Sequence, residues 1–128
     1  MANKYSLAAL DAVEMINHGT CNNPSEAWDK ALQKYYERKS SSFNKGCPKN
    51  AFLGLCEEGL IVGIGPGKYT KSKKNKAYAV KATEYLKQDP GLAKNIEELW
   101  EMATDRIGKV HNSQMDIVVA LWKKNLIK

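Results

Sequence analysis

A chain of 128 residues, 43% hydrophobic and 27% charged, is long enough to bury about two thirds of its unfolded surface in one domain and too apolar to stay disordered. Its longest apolar runs, Ala51 to Cys56 and Ile117 to Trp122, fall far short of the ~20 residues that a membrane-spanning helix requires. The net charge of +6 is unevenly spread: residues 1–29 carry −3, residues 30–81 carry +9 and residues 82–128 balance, so an anionic partner is expected at the middle of the chain.

The first expected element is a helix over 3–18, where Tyr5, Ala9, Ala12, Val13 and Ile16 share a face and Gly19 supplies a stop. Asp11 and Glu14 interrupt its apolar stretch, unlike a secretory signal, which points to a cytoplasmic protein. A second helix is expected over 24–39, with Asn23 and Glu26 as a capping box and Pro24 at the first helical position. After a polar loop, Cys47 is expected to cap a third helix that runs to Glu58 and closes on Gly59.

Leu60-Ile61-Val62, the glycine-rich stretch Gly63 to Gly67 and Lys68-Tyr69-Thr70 together read as a short β-hairpin near 60–70. Three further helices are expected over 75–88, 94–107 and 114–124, ending before Asp89-Pro90, at Gly108 and at Asn125. The fold class is therefore mainly α: one helical domain, residues 1–128, of about six helices.

The chain also carries the pattern of an internal repeat. Glu26 to Ala31 aligns with Glu98 to Ala103 at an offset of 72, and Ala51 to Ile61 aligns with Ile117 to Ile127 at an offset of 66. Each unit is a helix anchored by Trp28 or Trp100, a polar loop, and an apolar helix closed by Gly59 or Asn125 and followed by Leu-Ile. A pseudo-twofold helix-loop-helix core is the expectation, with Trp28, Trp100 and Trp122 on apolar faces and positive φ at Gly59 and Asn125.

The segments Lys45-Gly46-Cys47-Pro48-Lys49-Asn50-Ala51-Phe52-Leu53-Gly54-Leu55-Cys56-Glu57 and His111-Asn112-Ser113-Gln114-Met115-Asp116 resemble signatures of a family of small, uncharacterised bacterial proteins. The likeness spans most of the chain and implies a bacterial, cytoplasmic origin. It brings no activity, substrate or catalytic residue with it.

Two constellations suggest chemistry. The run Lys68, Tyr69, Lys71, Lys73, Lys74 and Lys76 interleaves charge with hydroxyls and aromatics, with Tyr78 close behind. Such a segment suits phosphates and unpaired bases, and Lys45 and Lys49 extend the candidate basic face. A helix followed by a basic hairpin also looks like a winged helix-turn-helix. The apolar, then acidic helix over 48–58 lacks the polar face that base reading needs, so it reads as core.

The second constellation is Cys47, flanked by Lys45 and Lys49 at a helix start, where a thiol turns nucleophilic; His111, Asn112 and Asp116 are candidates to complete a catalytic set. The alternative is that Cys47 and the aligned Ser113 are both helix caps. No metal or cofactor is expected, because His18 and His111 stand far apart and the glycine-rich stretch lacks the Lys-Ser/Thr of a phosphate-binding loop. The odd cysteine count without Cys-x-x-Cys spacing reads as reduced thiols. The expected function is a non-catalytic binding module for a polyanion such as nucleic acid; the alternatives are a protein-interaction partner and a Cys47-dependent enzyme.

Overall fold

Asparagine side chains start three of the six helices. The computed structural model describes residues 3–128, in which Asn3 accepts the Ser6 N–H and opens α1 (Lys4–Asn17). Asn23 accepts the Ser25 and Glu26 N–H groups and opens α2 (Pro24–Leu32), and Asn95 accepts the Glu98 N–H and opens α5 (Ile96–Ala103). Each satisfies donors that the first helical turn leaves orphaned. Ser72 does the same for α4 (Lys73–Gln88), whereas α3 (Gly46–Glu57) and α6 (Gln114–Lys123) lack a side-chain bond from their cap residues. Only half of the expected capping box forms at α2, because Glu26 turns to Lys30 at 3.1 Å instead of the Asn23 N–H.

Two helices are shorter than the spacing suggested. After Leu32 the chain enters turns that carry Tyr35 and Tyr36 back to α1. There the Tyr35 hydroxyl donates to Asp11 at 2.7 Å, and Tyr36 lies 5.4 Å from Tyr5. These long-range contacts override the helix propensity of residues 33–39. At the far end of α5, Thr104 Oγ1 donates back to the Trp100 carbonyl at 2.8 Å, and Asp105 and Arg106 take left-handed φ of 56° and 58°. The helix therefore stops five residues before Gly108, and Pro90–Lys94 adds a 3₁₀ turn that the sequence reading left out.

The core is built where α1 packs on α2 and α6, and α3 on α4. Trp28 is fully buried between Tyr5 and Phe52, at ring distances of 6.5 Å and 5.5 Å. Gly54 lets α3 and α4 approach closely, for a Cβ there would stand 2.6 Å from Lys76 Cα. Residues Ala51 to Cys56 are all buried, so α3 is a core helix and presents no face to a DNA groove.

The expected hairpin does not form. Leu60 to Val62 pairs instead with the chain's other Leu-Ile segment, in an antiparallel bridge between Ile61 and Ile127, with Val62 N–H to Leu126 O and Lys128 N–H to Leu60 O both at 2.8 Å. The would-be return strand is captured elsewhere: Tyr69 and Thr70 donate their N–H groups to the Glu57 carboxylate at 2.8 Å and 3.2 Å. An ionised acceptor makes stronger bonds than a neutral carbonyl, and Pro66 has no N–H to give a ladder.

The bridge sits directly after two matched helix ends. Gly59 and Asn125 have φ of 71° and 58°. The following Leu60 and Leu126 donate to Leu55 O at 3.1 Å and Leu121 O at 3.0 Å, the six-to-one bond of a Schellman cap.

Candidate anion-binding cleft

Residue chemistry at the other end of these helices is less symmetrical. Cys47 is not a cap: Lys45 precedes the helix in extended conformation, and Cys47 is the second helical residue, half-buried. A thiol is a weak acceptor, and no capping bond forms there. Ser113 does occupy the cap position of α6, but in left-handed conformation with φ 68° and without a capping bond. His111 substitutes for it, its Nε2 accepting the Met115 N–H at 2.9 Å, while Gln114 Oε1 accepts the Asn112 N–H at 2.6 Å.

This bond decides the state of the imidazole. An accepting Nε2 leaves the proton on Nδ1, and burial pushes the His111 pKa below its ordinary value against the opposing pull of Asp116, 4.0 Å away. Since Nε2 already accepts a backbone proton and Nδ1 carries one, neither nitrogen is free to deprotonate Cys47. Asp116 sits beside this ring, and its backbone carbonyl accepts from Ser6. Cys21 and Cys56 are buried free thiols, and burial holds the Cys56 thiol far above its usual range.

The sequence-predicted lysines differ in their partners: Lys49 and Lys76 are in ion pairs, whereas Lys71 and Lys73 stand between the Glu57–Glu58 side and a cleft without carboxylates. Lys76 is caught between Glu57 and Glu58, 2.7 Å from each, and its pKa is raised, first by the Glu57 bond and then by Glu58. Glu57 responds in kind: Lys76, followed by the Tyr69 and Thr70 N–H groups, holds its carboxyl at about 2. Lys49 is paired with Asp29 at 3.0 Å. Lys68 faces the Glu57–Glu58 side with Tyr69, whose hydroxyl donates to Gly65 O at 3.0 Å and whose ring lies against Gly67. Lys45 is exposed and lies outside the cleft described next.

The remaining three, Lys71, Lys73 and Lys74, line a cleft of about 620 Å³ with Lys109, and no carboxylate lines it. None of the four is in an ion pair among the described residues. Cys47 at the start of α3, Ser72 and Asn75 at the start of α4, and Asn112 and Gln114 at the start of α6 form its walls. Three positive helix-dipole ends thus reinforce four free ammonium groups.

The chain belongs to DUF6979, a family of unknown function, whose model matches residues 2–128. No curated protein and no solved structure matches it. The DUF6979 chain contains no helix long and apolar enough to cross a membrane among its described residues.

Within the cleft an aromatic cluster stands behind the lysines. Tyr78 meets Trp100 edge-on at 5.3 Å and 78°, Trp100 lies 5.0 Å from His111, and the indole N–H donates to Lys109 O at 2.8 Å. Lys109, Trp100 and Gln114 were missed by the sequence reading because they lie outside the basic middle third. Their one signal was the repeat pattern, which aligns Cys47 with Ser113 and so allows the loops before them to lie side by side. Cys47 and Asn112 do line one cleft, whereas the imidazole of His111 is engaged at the cap.

Proposed function

We propose that this protein is a non-catalytic binding module that holds a polyanion, nucleic acid in first place, in the cleft between the starts of α3, α4 and α6. The observation that carries the reading is Lys71, Lys73, Lys74 and Lys109 around one concavity without a carboxylate. Four exposed, unpaired ammonium groups around one concavity attract phosphates more strongly than the same charges scattered on a convex face. The engaged imidazole of His111 speaks against Cys47 as a nucleophile. We read the two halves as a duplicated helix-loop-helix unit of cytoplasmic, bacterial origin; the matched caps at Gly59 and Asn125 support the duplication.

Titration of a labelled oligonucleotide at several salt concentrations tests the binding. Affinity should fall with a log–log slope of roughly 0.7 to 0.9 per phosphate neutralised. Replacing Lys71, Lys73 and Lys74 with Ala should flatten that slope by about 1 per lysine, equally across sequences. Absence of binding at ~50 mM salt would overturn the reading. A protein partner is the second reading, favoured by two exposed apolar side chains of one loop, Val110 (78%), which lines the cleft, and Ile107 (62%).

A further inference from the structure

Resting on the polyanion reading, we infer that the cleft takes an unpaired nucleotide of a single-stranded nucleic acid, with Tyr78 as the stacking surface for its base and Asn112 as the group that meets the base edge. Charge alone would account for Lys71, Lys73, Lys74 and Lys109, but not for an aromatic ring and a free amide on the same wall.

Of the two tyrosines near the lysine run, only Tyr78 lines the cleft; Tyr69 is spent on its own loop, through its hydroxyl bond to Gly65 O and its ring contact with Gly67. Tyr78 is half-buried, its ring stands at 78° to that of Trp100, and no parallel aromatic stacks on it among the described residues. Trp100 is locked in turn by Lys109 O and by the His111 ring, so the ring is held in place before any ligand arrives.

The amides separate in the same way. Asn75 Oδ1 accepts from Gln114 Nε2 and Asn75 Nδ2 donates to Ser72 Oγ, while Gln114 Oε1 accepts the Asn112 N–H. The Asn112 side chain makes no hydrogen bond among the described residues, which leaves it a donor and an acceptor for a base edge. A duplex buries its base faces in the stack and is read by elements that protrude into its grooves, whereas this site is concave and about 620 Å³, the size of a small-molecule site. An unpaired base has both a free face and a free edge.

The experiment compares four probes matched in phosphate number on the intact protein: a single-stranded oligonucleotide, a duplex of half its length, an abasic strand of equal length, and inorganic polyphosphate. The single strand should bind about 5- to 150-fold more tightly than the abasic strand, the range that stacking of one base supplies. Tyr78→Ala should remove that advantage and leave polyphosphate binding unchanged, Tyr78→Phe should keep it, and Asn112→Ala should narrow the spread among bases. Equal affinity for all four probes, or an advantage of the single strand that survives Tyr78→Ala, overturns the inference and leaves the polyanion reading standing. Failure of every probe to bind at low salt overturns both. The abasic comparison tests stacking on the unaltered protein, and Tyr78→Leu, which keeps an apolar side chain but removes the ring, should abolish the advantage if Tyr78→Ala does not fold.

Discussion

At their C-terminal ends α3 and α6 are near copies, and at their N-terminal ends they are not. Both stop on a left-handed residue, Gly59 or Asn125, and both donate the next leucine's N–H back five residues, to Leu55 or Leu121. At the other end α3 starts from an extended Lys45 with Cys47 in its first turn, whereas α6 starts from a left-handed Ser113 with the His111 imidazole as its acceptor. The matched ends face each other across a backbone bridge and hold the fold together. The unmatched ends supply Cys47, Lys109, Asn112 and Gln114 to a cleft whose other lysines come from the start of α4. Where backbone bonding closes the helix, two sequences converge on one geometry; at the starts, where side chains rather than backbone set the contacts, they differ.

The largest expected effect tests whether the matched ends are energetically alike. Leu55→Ala and Leu121→Ala each truncate a fully buried side chain and should cost about 2–5 kcal/mol, with similar values for the pair. Urea denaturation that gave one of them under 1 kcal/mol would break the equivalence. Gly54→Ala sharpens the contrast, because the aligned residue in α6 is already Ala120 and is partly exposed. At Gly54 the new Cβ meets the Lys76 backbone, so about 1–3 kcal/mol should be lost as α3 and α4 are forced apart.

The caps come next. Gly59→Ala places a Cβ on a backbone with φ 71° and should cost about 1–2 kcal/mol in thermal or urea unfolding, whereas Asn125→Gly should be neutral or slightly stabilising.

Acidification probes the unmatched end. The folded-state pKa of His111 is lowered, so the unfolded chain binds the extra proton first, and stability should decline as the pH falls below about 6.5. Protonated His111 no longer accepts the Met115 N–H, a loss comparable to that of an N-cap, about 1 kcal/mol. His111→Ala should be less stable at pH 7.5 and should lack this decline. Glu57 acts in a second window: its lowered pKa contributes stability above its ordinary value near 4.5, lost as the pH drops toward about 2. The smallest effect is expected from Lys71→Ala, Lys73→Ala and Lys74→Ala, each within about 0.5 kcal/mol in stability, because these side chains are exposed and unpaired.

Helix identity was legible because it depends on local periodicity and caps: Asn23, Pro24, Gly59 and Asn125 mark real helix ends. The hairpin was not, because the partner of Leu60 to Val62 lies sixty-six residues further on and local turn chemistry gives no hint of it. The lysine count was legible, but not its division. Lys76 and Lys49 lie near acids only once α3 meets α4 and α2, and Lys109 reaches the cleft only once α6 packs beside α4. The sequence offered Cys47 either as a helix cap or as a thiol that His111, Asn112 and Asp116 would have to complete. What settles its surroundings is the cap bond of His111, a tertiary detail of a loop with three non-glycine residues at positive φ: Asp105, Arg106 and Ser113.

The bridge between Ile61 and Ile127 also bears on how the chain comes apart. Its bonds join segments far apart in sequence, so closing that loop costs about 4 kcal/mol of chain entropy and must follow docking of the helices between them. The amide protons of Val62 and Lys128 are therefore reporters of that docking. They should exchange with solvent at one common rate, set by an opening that parts the two halves together, even though Val62 itself lies at the surface.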